Sequence, residues 1–348
     1  MLKNFWYACE FSSAITSKPQ RVPLLNQQFV LYRNSQGKVM AFLDQCPHRG
    51  AALSLGKVEN DCIRCPYHGW KFQTDGTCIE IPANQPGVPI PKKAHLDAYP
   101  VQEKYGFVWL FWGDIPENER PPLPSFPEVK NPALRSLQLE FKWNAHYTRL
   151  IENSIDPAHS AFVHANSIGS GMAKEPQLPN YEIYMEGWGA SASLYYKQQE
   201  TKGFFWKFVR QKNRLQIKTT RGFYMPNIIY SDSENIILFV AHVPIDDKTT
   251  ISKFIQFRSF FTQPWADQIF RKFNSKVNQE DKLIVESQSP KIAPYDLTTE
   301  IHASSDALPL AYRKLRKKCL DIGWAEEPHI SKLNYMNGHT LSVERQII

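Results

Sequence analysis

The chain contains little cysteine and no long hydrophobic segment. Its 348 residues include six cysteines, far fewer than a disulfide-stabilised secreted domain carries, and this content fits a reducing compartment. The first residues, MLKNFWYACEF, have no basic segment leading into an apolar one, so we expect no signal peptide. Apolar runs such as residues 236–241 fall far short of the roughly 20 residues that span a bilayer. We therefore expect a soluble cytoplasmic protein without a membrane span.

Two further absences narrow the range of functions that the sequence allows. The sequence has no GxGxxG pattern of the kind that binds nicotinamide or flavin dinucleotides. The net charge is +7, but no basic motif interleaved with aromatic residues accompanies it, and the basic run from Arg313 to Lys318 is typical of one solvated helix face. We therefore expect no nucleic-acid partner, and the positive surface suits an acidic redox partner better.

Length and composition predict two globular domains. The chain is 42% hydrophobic and 22% charged, and 348 residues exceed one ordinary domain. Residues 1–115 contain short β-prone runs separated by turn signals such as Asp75-Gly76, which predicts an all-β domain. Residues 116–134 form a proline-rich connector without helical or strand periodicity. Residues 135–348 mix helices with longer strands, so the second domain is expected to be α+β.

The second domain shows both periodicities. Helices are predicted at about 143–155, 265–287 and 305–322 from apolar residues spaced three and four apart. Alternating segments rich in aromatic and β-branched residues predict an antiparallel sheet. These segments are residues 181–196, 203–210, 214–230, 235–244 and 250–262.

Two short clusters combine cysteine with histidine. Cys46-Pro-His48 and Cys65-Pro-Tyr-His68 are separated by sixteen residues. Together they offer two thiolates and two imidazoles, which can bind zinc or a [2Fe–2S] cluster in which two histidines replace two cysteines on one iron. Structural zinc sites usually pair like residues, as in CxxC, whereas each cluster here is mixed. The spacing therefore favours the iron–sulfur interpretation, with a zinc-stabilised binding module as the alternative.

A second histidine cluster lies in mid-chain. The phrase from Asn153 to His164 contains Asp156, His159 and His164. Asp156 precedes a proline and is by itself typical of a helix N-cap. The two histidines are five residues apart, or about 140° around an ideal helix. They can share a metal only if the helix ends or bulges between them.

A non-heme Fe(II) site requires two histidines and one carboxylate, with positions left open for O2. The carboxylate is predicted on the late helix, whose sequence includes VNQEDKLIVES. Glu280 and Asp281 both lie near its apolar face, where a buried carboxylate must be paired or bind a metal. Periodicity does not choose between the two. The residues that define this face are Phe270, Phe273, Val277 and Ile284.

Three motifs together resemble those of the Rieske non-heme iron oxygenase α-subunits. They are CPHRGAALSLG…CPYHGWKF, the mid-chain NxxDxxHxxxxH and the late QEDKxxVESQ. The resemblance covers essentially the whole chain and is greatest to the small monooxygenase group that includes dicamba, caffeine and vanillate demethylases. Respiratory Rieske proteins have a disulfide between the two loops. Ala51 and Tyr67 stand at those positions here, so the chain is similar to the disulfide-free oxygenase type.

The resemblance implies a fold and a set of ligands. It implies an N-terminal Rieske domain and a C-terminal helix-grip (START-like) catalytic domain. Asp156 would be the acidic bridge between the two metal centres, and Asn153 would lie close to the iron. The ligands that it implies are Cys46, His48, Cys65 and His68 for the [2Fe–2S] cluster, and His159, His164 and Asp281 for mononuclear Fe(II).

The resemblance also implies a reaction and partners. An NAD(P)H-dependent reductase or a ferredoxin would supply electrons, and O2 would be used to hydroxylate or oxidatively demethylate a small, cyclic organic substrate. The family's electron transfer between neighbouring subunits implies a homotrimer. The alternatives are an arene cis-dihydroxylating dioxygenase and a non-catalytic Rieske electron-transfer protein. These motifs do not identify the substrate.

Overall fold

The N-terminal part of this computed structural model consists of three small antiparallel sheets. The structure describes residues 1–126, 133–168, 178, 181–197, 216–233 and 235–325. The sheets have the strand orders β1-β10-β9, β2-β3-β4 and β5-β6-β7-β8. The strands are β1 (Phe5–Phe11), β2 (Gln20–Leu24), β3 (Gln27–Arg33), β4 (Val39–Leu43), β5 (Lys57–Glu59), β6 (Cys62–Arg64), β7 (Lys71–Phe72), β8 (Cys78–Glu80), β9 (Val101–Lys104) and β10 (Phe107–Trp112).

Tight turns connect these strands, as the sequence predicts. Leu25 and Asn26 both have positive φ, 55° and 61°, which matches the two-residue hairpin turn between β2 and β3. Gly76 has φ 92°, and a Cβ there would lie 1.9 Å from the Leu96 carbonyl oxygen. Only glycine fits at this turn, which holds the loop after β7 against the chain near Leu96.

The C-terminal part contains one seven-stranded antiparallel sheet. Its strand order is β11-β17-β16-β15-β14-β13-β12. The predicted segment 181–196 contains two strands rather than one, because Gly187 turns the chain at φ 55°. The predicted strand at 203–210 lies outside the described residues. The strands are β11 (Arg135–Trp143), β12 (Ile183–Glu186), β13 (Gly189–Lys197), β14 (Gln216–Tyr224), β15 (Ile228–Asp232), β16 (Ile236–Pro244) and β17 (Thr250–Arg258).

Four α-helices are present in the described residues: α1 (Tyr147–Ile155), α2 (Ser160–Val163), α3 (Asp267–Val285) and α4 (Ala307–Asp321). The predicted start of the first helix at residue 143 is wrong. Trp143 ends strand β11, in which Leu137, Leu139 and Trp143 alternate with more exposed residues, so period two rather than period 3.6 applies there.

No helix of the described chain is long and apolar enough to cross a membrane. Short 3₁₀ turns lie at Ser12–Ala14, Leu53–Leu55, Glu117–Glu119, Pro264–Ala266, Leu297–Thr299 and Ser304–Asp306.

The helices pack on one face of the seven-stranded sheet. From α1, Ser154 contacts His242 of β16, and from α3, Asn274 donates to Gln256 of β17. The opposite face packs against the N-terminal part, where Phe239 stacks on Tyr105 with ring centroids 5.3 Å apart. The predicted α+β class with an antiparallel sheet is confirmed.

The side on which a strand residue points decides what it can contact. Phe239 and Phe257, which are 6.2 Å apart between ring centroids, lie on the face turned toward the N-terminal part. Phe223 lies on the helix side, 5.2 Å from Tyr312 of α4. Of these three aromatic residues, only Phe223 faces the helices that carry the candidate site.

Two expectations about helix faces are wrong for some of their residues. Arg313 and Arg316 of the basic run are 5% and 2% exposed, whereas Lys314, Lys317 and Lys318 are exposed as expected. Arg316 lies over Tyr295 at 4.3 Å and donates to the Ala293 carbonyl, and these contacts explain its burial. On α3, Ile284 is 50% exposed and Val285 is buried in its place.

Candidate metal centres

The two Cys/His clusters form two copies of one turn. In the first, the Cys46 amide donates to the Ala51 carbonyl at 2.8 Å, and Gly50 donates back to Cys46 at 2.9 Å. In the second, Cys65 donates to Trp70 at 2.8 Å, and Gly69 donates to Cys65 at 3.1 Å. Gly50 and Gly69 have φ values of 72° and 73°, a conformation that favours glycine.

The two turns bring their imidazoles together. The rings of His48 and His68 are 4.6 Å apart between centroids, and His48 stacks on Trp70 at 4.5 Å. His48 Nδ1 is buried and has no hydrogen-bond partner among the described residues. A buried imidazole nitrogen without a partner is costly unless it binds a metal. His68 is exposed, as is the neighbouring Tyr67, so this end of the site is open to the surface.

The thiols of this site are also buried. Cys46 and Cys65 are each 2% exposed, and burial raises the pKa of the Cys46 thiol to about 11. A thiolate in this position requires a cation to compensate its charge, which an iron cluster supplies. All six cysteines are unpaired, so no disulfide links the two loops. The donor set of two thiols and two imidazoles fits a [2Fe–2S] cluster with histidines on one iron.

A second group of ligands lies in the C-terminal part. One atom each of His159, His164 and Asp281 lies within 4.8 Å of the other two. The four-residue helix α2 lies between the two histidines: His159 precedes it and His164 follows it. The helix therefore ends before His164, which is the condition that the five-residue spacing required. Asp281 comes from α3, more than one hundred residues later in the chain.

The geometry of this group fits a divalent metal. Asp281 Oδ1 lies 3.2 Å from His164 Nε2 and 3.6 Å from His159 Nε2. It is also buried with no hydrogen-bond partner among the described residues. A buried carboxylate oxygen between two imidazole nitrogens, none of them in a hydrogen bond, is the donor set of a two-histidine, one-carboxylate iron site.

The neighbouring carboxylate of Glu280 has a different contact. Its Oε2 lies 2.9 Å from His164 Nδ1 and accepts from the Ser167 hydroxyl at 2.5 Å. Glu280 thus holds the ring nitrogen that faces away from Asp281. Burial lowers the pKa of His164, but the Asp281 and Glu280 carboxylates outweigh it and hold the pKa above its usual value. This arrangement fixes the tautomer and orientation of a metal-binding imidazole.

Asp156 holds His159 in the same way. Its Oδ2 lies 3.2 Å from His159 Nδ1, and its two carboxylate oxygens accept from the Ala158 and His159 amides at 2.8 and 3.1 Å. Burial raises the pKa of Asp156, but these hydrogen bonds keep it below the usual value. Arg221 donates to the Asp156 carbonyl at 2.7 Å. Asp156 is the C-cap residue of α1 and not the N-cap of α2, which is His159.

Sequence reasoning did not find several residues around this group. Glu280 was considered only as an alternative ligand, and Ser167 and Arg221 were not considered. His242 was also missed: it is 1% exposed, with its ring nitrogens 2.7 Å from Ser252 and 3.0 Å from Ser154. Burial lowers the pKa of His242 to about 3, so it is neutral. Asn153 is half-buried on α1, and its side chain makes no hydrogen bond to any described residue.

Comparison with known families identifies both parts of the chain. The model of the Rieske [2Fe-2S] domain matches residues 5–101. The model of the vanillate O-demethylase oxygenase C-terminal domain matches residues 143–321. The first match contains the Cys/His turns, and the second contains the two-histidine, one-carboxylate group.

Individual relatives match over most of both chains. Methylxanthine N1-demethylase NdmA of Pseudomonas putida is 30% identical over 328 residues, which cover 90% of this chain and 88% of that protein. The structure of NdmA from Pseudomonas putida CBB5 is similar with a TM-score of 0.73 at 28% identity, covering 92% of this chain and 91% of that one. Dicamba monooxygenase bound to 3,6-dichlorosalicylic acid shares the fold, with a TM-score of 0.75 at 22% identity over 94% and 99% of the two chains.

Proposed function

Because the chain belongs to the Rieske non-heme iron oxygenases, we propose that it hydroxylates or oxidatively demethylates a small cyclic substrate at the His159, His164 and Asp281 group. It is an oxidoreductase of the monooxygenase type, and its cofactors are a Rieske [2Fe–2S] cluster and a mononuclear iron. The observation that carries the proposal is the buried Asp281 oxygen, without a hydrogen bond, beside the Nε2 atoms of both histidines.

The donor sets described above are the basis on which we assign residues to each metal centre. Cys46, His48, Cys65 and His68 would hold the cluster. His159, His164 and Asp281 would hold the single iron. When bound, the cluster supplies single electrons and the mononuclear iron supplies the centre at which O2 reacts.

The protein's own residues orient these ligands. Glu280 accepts from Nδ1 of His164, and Asp156 from Nδ1 of His159, so both imidazoles present Nε2 to the metal. Asp156 is proposed as the bridge toward the Rieske histidines, and Asn153 as a residue close to the iron. Support for the bridge is the position of Asp156, which is bonded to one iron ligand and is only partly buried.

The type of reaction follows from the relatives. The names of two relatives, methylxanthine N1-demethylase and dicamba monooxygenase, describe demethylation or monooxygenation. These names favour the same chemistry here over arene cis-dihydroxylation. A purely electron-transferring Rieske protein is disfavoured because the histidine and carboxylate donors are all present and close together.

We also propose the partners, the location and the domain limits of the chain. Electrons would come from an NAD(P)H-dependent reductase or a ferredoxin, and six unpaired cysteines favour a cytoplasmic location. Domain limits of 1–115 and 135–348, with a connector at 116–134, are supported by the sheets. Strands β1 to β10 end at Trp112, and the seven-stranded sheet begins at Arg135.

The proposal is tested by counting iron in two variants. Asp281→Ala is expected to lose one iron per chain and all substrate-dependent O2 uptake while keeping the visible Rieske spectrum. Cys65→Ser is expected to lose that spectrum instead. Glu286→Ala, at the residue directly after the same helix and outside the site, serves as the control and should keep both metal centres. An Asp281→Ala protein with unchanged iron content and turnover would refute the assignment.

A further inference from the structure

The histidines of the two Cys/His turns lack the support that the iron-site histidines have. In the iron site, a carboxylate oxygen lies 3.2 Å or 2.9 Å from Nδ1 of each imidazole. The side chains of His48 and His68 make no hydrogen bond to any described residue, and His48 Nδ1 is buried without a partner. A histidine that binds a metal is usually oriented through its second ring nitrogen. A different kind of contact must therefore orient His48.

The indole ring of Trp70 lies flat against the imidazole of His48. The two ring centroids are 4.5 Å apart, and the ring planes differ by 6°. Aromatic rings at this separation attract one another in an offset-stacked arrangement. The contact restricts the rotation of the imidazole, because a rotated ring would no longer stack. It fixes the plane of His48 without using a ring nitrogen, so Nδ1 stays free to bind a metal.

Trp70 is itself held firmly. Its backbone carbonyl accepts a hydrogen bond from the Cys65 amide at 2.8 Å, and the next residue begins strand β7. Its side chain is half-buried and packs against the hydrophobic cluster that includes Cys46 and Phe72. The backbone and the side chain are thus both anchored in the domain core, and the indole offers a fixed surface on which a histidine can be oriented.

The stack also joins the two turns. The backbone hydrogen bonds that shape each turn lie within that turn, and none of the cysteines is paired in a disulfide. His48 belongs to the first turn and Trp70 ends the second, so their rings connect one turn to the other. The contact of His48 with His68, at 4.6 Å between centroids, also crosses between the turns. His68 is exposed, and Tyr67, which touches it, is 65% exposed, so Trp70 gives the firmer support.

We propose that Trp70 is a positioning residue for the [2Fe–2S] cluster: it holds His48 in the orientation of a ligand before the cluster binds and keeps it there afterwards. This inference rests on the proposed function, which assigns His48 to the cluster. A ligand that is already ordered loses less conformational entropy when it binds. Loss of one stacked aromatic contact corresponds to a change of about 2- to 12-fold in an equilibrium constant. Because His68 has no comparable support, the effect should be confined to one of the two imidazoles.

Cluster retention in variants of Trp70 tests this. Trp70→Leu and Trp70→Met remove the aromatic ring and keep an apolar side chain, whereas Trp70→Phe retains a ring that can stack. The cluster is reconstituted anaerobically in each full-length protein from iron and sulfide, and its loss to a chelator is followed by visible absorbance. The Leu and Met variants are expected to lose the cluster about 5-fold faster than the wild type. The Phe variant should lose it at the wild-type rate.

A spectroscopic measurement separates positioning from general stability. Pulsed EPR of the reduced cluster should show a changed ¹⁴N coupling for one imidazole in the Leu and Met variants, and wild-type couplings in Trp70→Phe. The matched control is Trp112→Leu. Trp112 is also half-buried in the N-terminal part, and its ring contacts, Tyr99 and Phe29, lie outside both turns. The control should keep the wild-type rate and couplings.

The possible results are distinct. Circular dichroism shows which variants are folded, and a folded Leu or Met variant with the wild-type rate and couplings overturns the proposal. Trp70→Phe or Trp112→Leu protein that loses the cluster as fast as Trp70→Leu also overturns it, since the loss would then not depend on stacking against His48. A wild-type protein that takes up no [2Fe–2S] cluster refutes the proposed function instead.

Discussion

At the scale of single residues, adjacent carboxylates have separate tasks. Glu280 and Asp281 follow one another on α3 and differ by about 100° in direction. Asp281 therefore meets the Nε2 side of the two histidines, while Glu280 meets Nδ1 of His164. One residue is suited to bind the metal, and the other to orient a ligand.

Glu280→Gln is expected to raise the dissociation constant for Fe(II) about 10-fold, because an amide holds the His164 tautomer less firmly than a carboxylate does. The Rieske spectrum should not change, since the cluster ligands lie in the other domain. Titration of Fe(II) against a chelator measures the constant. Glu286→Gln, at the residue directly after α3, should show the wild-type value. An unaltered constant in Glu280→Gln would mean that Glu280 does not position His164.

At the scale of secondary-structure elements, a ring of ion pairs joins α1 to α4. Arg149 pairs with Glu152 at 3.2 Å and with Glu300 at 2.8 Å. Arg313 pairs with Glu300 at 2.5 Å and, by a short contact, with Glu152. Three members of the ring are 8% exposed or less. The ring fixes the position of α1, which contains Asn153 and is followed directly by Asp156. It therefore stabilises the element next to the candidate iron site.

Glu152→Gln is expected to lower the free energy of unfolding by about 3 kcal/mol, because it leaves buried guanidinium groups without full charge compensation. Chemical denaturation followed by circular dichroism measures this. Asp321→Asn breaks an exposed pair with Lys317 on α4 and should cost under about 1 kcal/mol. Equal effects of the two substitutions would show that burial does not strengthen the ring.

At the scale of the whole molecule, the two parts of the chain are held together by polar and apolar contacts. The Asn227 amide accepts from the Ala8 amide at 3.2 Å and donates to the Ala8 carbonyl at 2.9 Å. Lys253 pairs with Glu10 at 2.7 Å. All four residues are buried. The Rieske part therefore has a fixed position on the back of the seven-stranded sheet.

Both candidate centres lie beside exposed apolar side chains. Leu55 and Tyr67, near the Rieske turns, are 75% and 65% exposed, and Phe162, between the two iron-site histidines, is 71% exposed. Apolar side chains of this size at the surface are typical of an interface. They support the proposed homotrimer, in which the Rieske end of one subunit packs on the iron site of the next in a closed ring.

Co-expression of two inactive variants tests the trimer. His68→Ala lacks a cluster ligand and Asp281→Ala lacks an iron ligand, so each alone should be inactive. Each mixed trimer has one junction in three that pairs an intact cluster with an intact iron site. Over all trimers assembled at random from equal amounts of the two variants this is about one quarter of the junctions, so about a quarter of wild-type turnover should return. Sedimentation should show a trimer. A fully active monomer, or a mixture as inactive as its parents, would exclude transfer between subunits.

Much of the architecture could be predicted from local patterns. Period-two and period-3.6 segments predicted the all-β first part and, within a few residues, the two long helices α3 and α4. The mixed Cys/His spacing indicated an iron–sulfur cluster, since ligand type and spacing are local properties. The start of α1 was wrong because the alternation in β11 continues to Trp143, and the sequence has no strong signal at that junction.

The sequence by itself determined which residues can bind metal and where the two long helices lie. Only the tertiary structure decided which of two adjacent carboxylates meets the histidines, that Arg313 and Arg316 are buried, and that Phe239 faces the Rieske part. It alone placed Gln256 opposite Asn274. The physical reason is that periodicity gives the direction of a side chain around its own element. The element that lies opposite depends on packing between segments that are distant in the chain.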